Sequence, residues 1–201
     1  EFLKINSGIK QFDRIYTINE KSKKIIESIG NKNTIVCGDL RFDADILKLS
    51  KKTSENIKKF IDKKKCIVFG STWREDEDII LPYIKNSDRK IKYIIAPHEI
   101  SNNPKRIKKY LGNKSILYSD IQSKTNLKEF SYLVIDNIGM LSALYNYGSI
   151  SYVGGGMGKK GLHNTIEPAY FSKPIIIGKN YKKFDEATEM IKIGNIISIS
   201  N

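Results

Sequence analysis

The chain has 201 residues, 40% of them apolar, enough for one large domain or one domain with a fragment of another. A formal charge of +13 favours anionic partners such as nucleotides, phospholipids or nucleic acid. Lysine also travels with isoleucine and asparagine throughout, as a biased coding composition would produce. The two cysteines form no CxxC, and with only two histidines no zinc cluster can be assembled. Both thiols sit in apolar runs, so two buried free thiols in a reducing compartment are expected.

Apolar runs alternate with helical patterns from residue 12 onward. In chain order the strands are predicted at "RIYTI", "TIVCG", "CIVFG", "YIIAP", "SILYS", "YLVID", "ISYVG", "PIIIG" and "NIISIS". Their near-continuous Ile/Val/Tyr content indicates strands covered on both faces. Between them, "NEKSKKIIESIG" reads as a helix stopped by Gly30, and "NPKRIKKYLG" as one opened by Pro104 and closed at Gly112. "DNIGMLSALYNYG" is predicted to cap on Asp136 or Asn137 and to close at Gly148. Strand and helix in this alternation give an α/β fold, a Rossmann-like doubly wound parallel sheet. Residues 48–65, polar and lysine-rich with Ile57, Phe60 and Ile61 on one face, read as a linker helix. Residues 1–47 then look like the remnant of another domain, and 66–201 like the main Rossmann-like domain, itself cut short at the end. No apolar run approaches the length of about 18 residues that a membrane span needs, and no signal peptide is visible.

In an open parallel sheet, ligands bind beyond the carboxyl ends of the strands, so the segments after each strand carry the candidate chemistry. After "CIVFG", Ser71 or Thr72 can cap the next helix. After "YIIA" come Pro97 and His98, and after "YLVI" comes "DNIGM", in which Gly139 would allow a ligand close to the backbone. After "ISYV" comes "GGGMGKKGLHNTIEP", with Gly154, Gly155 and Gly156, then Lys159, Lys160 and His163. One or two glycines would satisfy a tight turn; three favour a ligand-facing loop. The spacing is not the dinucleotide fingerprint, which belongs after the first strand of the unit. Pro168 places a helix start at Asn164 or Thr165 with Glu167 in its first turn. Glu167 is either a helix-dipole or capping-box partner, or a carboxylate that accepts a ribose diol; spacing leaves the two equal. Asn164 and His163 carry the same ambiguity.

Taken in order, "GSTWREDED", "APHE", "DNIGML" and "YNYGSISYVGGGMGKKGLHNTIEPAYFSKPIIIGKNYKKF" resemble the bacterial 3-deoxy-D-manno-octulosonic acid (Kdo) transferases. The likeness runs from about residue 12 to 199, is densest over 136–186, and includes "GDLRFDAD" as an interdomain junction. It implies the C-terminal, CMP-sugar-binding half of a GT-B glycosyltransferase that moves Kdo from CMP-Kdo to the lipid A precursor in lipopolysaccharide biosynthesis. By that pattern CMP meets Pro97 and His98, then Ile138, Gly139 and Met140, then Asn164, Thr165, Ile166 and Glu167. Ser71, Thr72, the three glycines, Lys159, Lys160 and His163 are further donor-loop candidates. His98 stands where an Arg is common, Met140 replaces an acid, and Leu162 replaces a second glycine. The resemblance places the general base in the N-terminal domain, so no catalytic residue is expected here. No metal or other cofactor is expected, and no nucleic acid. The full protein is expected at the cytoplasmic face of the inner membrane of a Gram-negative cell, with this chain soluble. The rival readings are a UDP-sugar transferase of the same fold and a basic RNA-binding protein; the latter lacks an aromatic RNA-stacking strand.

Overall fold

A computed structural model describes residues 8–43, 54–87 and 90–200. The chain divides into two compact units, Glu1–Lys48 and Leu49–Asn201. In the smaller unit, strand β1 (Ile15–Thr17) leads to helix α1 (Glu20–Ile29) and to strand β2 (Thr34–Val36), which pairs parallel with β1. Asn19 caps α1 by accepting the Ser22 N–H at 2.8 Å, and Gly30 ends it in the left-handed region at φ 107°. Cys37 is exposed, not buried as its apolar run predicts. It lies one residue past the end of β2.

The larger unit opens with helix α2 (Glu55–Ile61), shorter than the predicted 48–65; residues 48–53 lie outside those described. Its expected apolar face is in use: Ile57 and Phe60 are fully buried in the unit's own core. The sheet and helices follow as β3 (Cys66–Thr72), α3 (Arg74–Lys85), β4 (Lys92–Pro97), α4 (Asn103–Leu111), β5 (Ser115–Leu117) and β6 (Tyr132–Val134). Then come α5 (Leu141–Leu144), β7 (Ile150–Val153), α6 (Ile166–Ala169), β8 (Ile175–Gly178), α7 (Asp185–Lys192) and β9 (Ile196–Ile199).

The seven strands are all parallel, in the order β5-β6-β4-β3-β7-β8-β9. Alternate side chains feed two cores. Val68, Ile94 and Leu133 enter one, and Phe69, Ile95 and Val134 the other, so the sheet is covered on both faces. Chain progression leaves β3 for β4 on one side and meets β7 on the other, which makes the β3/β7 boundary a topological switch point. Each predicted strand is present in one of the two sheets.

Two helix starts differ from the pattern. The Asp136–Met140 segment is a loop and α5 begins only at Leu141, because Gly139 sits at φ +89° and cannot continue a right-handed helix. Asp136 is occupied otherwise: it accepts the Ser119 backbone N–H at 3.0 Å and the Ser119 hydroxyl. Neither Ser71 nor Thr72 caps α3, since β3 runs through both. Its first turn is closed by Asp76, which reaches back to the Trp73 N–H at 2.9 Å.

Candidate functional site

The carboxyl end of β3 is bent. The register with β4 shifts between Gly70 and Thr72, and Ser71 adopts φ +51°, unusual for a residue with a Cβ. Gly70 is required here because a Cβ would overlap the Tyr145 hydroxyl. The bend turns Ser71 towards two adjoining clefts. One, of about 240 Å³, is lined by Ser71, Gly139, Leu141, Ser142, Tyr145, His163, Asn164 and Glu167. The other, of about 140 Å³, is lined by Ser71, Ala96, Pro97, His98, Ile100, Ile135, Asn137, Ile138, Gly139 and Leu141. Ser71, Gly139 and Leu141 are common to both, so the ends of β3, β4, β6 and β7 converge beside the switch point.

Asn164, one residue before the N-cap Thr165, accepts the Ile166 N–H at 2.9 Å in the turn that leads into α6. Its amide also donates to Glu167 at 3.4 Å, and both side chains line the larger of these two clefts. Burial, and then the Glu167 charge, push the Tyr145 hydroxyl well above its ordinary pKa, so it stays a neutral phenol. Thr165 and Ile166 point inward and are buried; the Thr165 hydroxyl has no partner among the described residues. The Ile166 N–H is already used by Asn164, so it does not remain free for a ligand. Met140 packs against the core, while Ile138 is 82% exposed beside the smaller cleft.

The glycine loop behaves differently from its expected ligand-facing role. Gly154, Gly155 and Gly156 are buried and line neither cleft. A Cβ on Gly154 would strike the Ser71 and Thr72 backbone, one on Gly155 the Gly161 carbonyl, and one on Gly156 the Gly178 nitrogen at 2.8 Å. They are needed where backbone packs on backbone.

Below the loop, the buried Asp76 carboxylate accepts the N–H groups of Gly155 at 2.8 Å and Met157 at 3.3 Å, and the Tyr152 hydroxyl at 2.7 Å. From beyond β8, Asn180 donates to the carbonyls of Met157 at 3.1 Å and Gly158 at 2.8 Å. The loop is therefore held on its donors by one side chain and on its acceptors by another. Next to Asp76, buried Glu77 accepts from Thr72 at 3.0 Å and Asn103 at 2.8 Å and pairs with Arg106. Burial raises its pKa against those three partners. Thr72 is thus a support and not a lining residue of either cleft. Sequence reasoning passed over Asp76, although an acid three residues into a helix that follows a strand is a legible capping signal.

Trp73, His98 and His163 stack. The His98 ring lies 4.3 Å from Trp73 and 4.5 Å from His163. Lys160 sits 5.1 Å above the Trp73 ring, beside a wider cleft of about 700 Å³ that includes Arg74, Glu99, Asn102 and Arg106. Lys159 is exposed. No group of three His, Cys, Asp or Glu among the described residues is arranged to hold a metal ion.

A doubly wound parallel sheet, with its loops gathered in this way at the switch point, is a Rossmann-like architecture of the kind that takes its ligands at this edge. The 3-deoxy-D-manno-octulosonic acid transferase of Rickettsia bellii is 31% identical over 181 residues, which is 87% of this chain and 42% of that protein. The chain belongs to that transferase family. The Aquifex aeolicus member is 27% identical over 188 residues, 91% of this chain and 48% of its own. The C-terminal CMP-Kdo binding domain of WaaA from Acinetobacter baumannii shares the fold, with a TM-score of 0.61 at 22% identity over 79% of this chain and 83% of that one. No family model matches. The chain spans less than half the length of these curated relatives.

Proposed function

We propose that Leu49–Asn201 binds the CMP moiety of CMP-Kdo and serves as the donor half of an enzyme that transfers Kdo to the lipid A precursor. The observation that carries this reading is the meeting of Ser71, Gly139, His163, Asn164 and Glu167 around one cleft at the switch point. The family membership and the CMP-Kdo binding neighbour support the choice of nucleotide.

In this reading Glu167 accepts the ribose diol, with Asn164 beside it. Gly139, which has open space where a Cβ would stand, lets the nucleotide approach the loop backbone. Pro97, His98 and Ile138 border the adjoining smaller cleft. Lys159 and Lys160 supply positive charge near the departing phosphate, so no metal is called for. In the transfer, an acceptor hydroxyl oxygen bonds to the anomeric carbon of Kdo, the bond from that carbon to the CMP phosphate breaks, and a carboxylate takes the hydroxyl proton. We assign that base to a part of the enzyme outside this chain. No described helix is long and apolar enough to cross a membrane. The +13 charge suits work against the anionic cytoplasmic face of the inner membrane, where the lipid acceptor is held.

The test is calorimetric titration of the chain with CMP, UMP and AMP, with thermal melting alongside. CMP should bind most tightly and raise the melting temperature, because a ligand selective for the folded state stabilises it. No melting shift at millimolar CMP would overturn the reading.

A further inference from the structure

We propose that Trp73 is a positioning residue for His163: its indole N–H fixes that imidazole as the Nδ1–H tautomer, so His163 offers the cleft an uncharged hydrogen-bond donor. The two residues are 90 positions apart in sequence, and the Trp73 Nε1 to His163 Nε2 distance is 2.8 Å. An indole nitrogen can only donate, so Nε2 must be the unprotonated acceptor and the ring proton must sit on Nδ1. Protonating Nε2 would set two N–H groups against each other. The arrangement therefore selects both the tautomer and the charge state.

The ring is also held in place. His98 stacks on His163 with 29° between the planes and on Trp73 with 26°, so it braces both partners of the bond. The His163 backbone N–H donates to Gly154 at 3.1 Å. A Cβ on Gly155 would lie 3.3 Å from His163 Cδ2, so the loop closes over the Cδ2 side. With Nε2 turned to Trp73, Nδ1 is the polar atom left for the cleft that His163 shares with Ser71, Asn164 and Glu167.

The ionisable groups around the ring act in both directions. Burial and then His98 hold the His163 pKa below its ordinary value, while the Asp76 charge pulls the other way. Lys160 lies over the indole, and Glu167 lines the same cleft. The neutral state agrees with the hydrogen bond. A neutral N–H suits a phosphoryl or hydroxyl oxygen and stays the same across mildly acid pH, where a free imidazole would change charge.

This inference rests on the donor-site reading only for the identity of the ligand; the tautomer is tested without one. Two histidines and one tryptophan make the ring signals simple to assign. Long-range 1H–15N spectra of the ligand-free chain should show His163 as Nδ1–H and neutral at pH 6.5. In Trp73→Phe, which keeps a stacking ring but loses the donor, Nε2–H should appear and the pKa should rise by about one unit, the scale of one lost hydrogen bond. The ratio of CMP affinities, wild type over variant, should then change between pH 5.5 and 7.5. An Nε2–H tautomer in the wild type would overturn the proposal even if the variant failed to fold. So would an unchanged His163 titration in a folded variant. Failure of both proteins to bind CMP would overturn the donor-site reading and leave the tautomer result standing.

Discussion

At the scale of single residues, Glu167 separates a ligand role from a structural one. Asn164 accepts the Ile166 N–H at the start of its helix, and the Glu167 carboxylate lies in the wall of the cleft. Glu167→Gln keeps the shape and loses charge-assisted acceptance, worth roughly 1.5–3 kcal/mol. CMP affinity should fall about tenfold to a hundredfold, with the melting temperature almost unchanged. Titration and melting of the two proteins in one buffer check this, and unchanged affinity in a folded variant counts against the ribose role. Lys92, far from any cleft described above, makes a second prediction. Its buried ammonium donates to the Lys128 carbonyl at 2.9 Å and to the Phe130 carbonyl, 4.8 Å from the Phe60 ring centre. Burial brings its pKa down from 10.5 to about 8, helped by Lys64 and opposed by Asp62. Because the folded pKa is the lower one, the unfolded chain binds the extra proton between those values. The Lys92 contribution is therefore complete above 10.5 and lost as pH falls through about 8. Buried Cys66, raised from 9.0 to about 12, acts in the opposite direction as pH climbs. Comparison with Lys92→Met removes the burial of the cysteine, common to both proteins, and leaves only its smaller coupling to Lys92: wild type should gain stability relative to the variant as pH rises from 8 towards 10, measured by denaturant melts.

At the scale of elements, the glycine loop is ordered by what lies under it. Asp76→Asn replaces one acceptor oxygen by a donor among the Trp73, Gly155 and Met157 N–H groups and the Tyr152 hydroxyl. We expect a loss of about 3 kcal/mol in stability, since charged acceptance is lost and a buried donor is left unpaired. Hydrogen exchange at Gly155 and Met157 should accelerate more than in the β3–β4 core. Two glycine substitutions should differ in kind. Gly154→Ala drives a methyl into the Ser71–Thr72 backbone and should cost about 1–3 kcal/mol as overpacking, seen in the melting temperature. Gly139→Ala meets open space, so its cost is the left-handed conformation, about 1–2 kcal/mol, and its methyl enters the two clefts. It should lose proportionally more CMP affinity than Gly154→Ala does.

At the scale of the whole molecule, the chain corresponds to less than half of its relatives, and the proposed base lies outside it. The isolated chain should bind CMP yet release no product from CMP-Kdo and a lipid A precursor. Detectable Kdo transfer by this chain alone would show that the division of labour between the two halves is wrong.

The sequence by itself determined the class of fold. Nine apolar runs became nine parallel strands, seven of them in a sheet covered on both faces, whereas Tyr16 of β1 and Ile35 of β2 are exposed; Gly30, Pro104 and Gly112 marked helix ends through local φ preferences that need no partner. It also marked Asn164 and Glu167, because a proline fixes where a helix can begin. What only the tertiary structure decided depends on residues distant in the chain. Three adjacent glycines look alike whether a ligand or another backbone lies against them, and here Ser71, Gly161 and Gly178 do. The apolar face of α2 shows in the sequence, but not which core claims Ile57 and Phe60. Trp73 and His163 carry no local sign of each other. Their pairing exists because adjacent parallel strands β3 and β7 bring the following loops to one edge of the sheet.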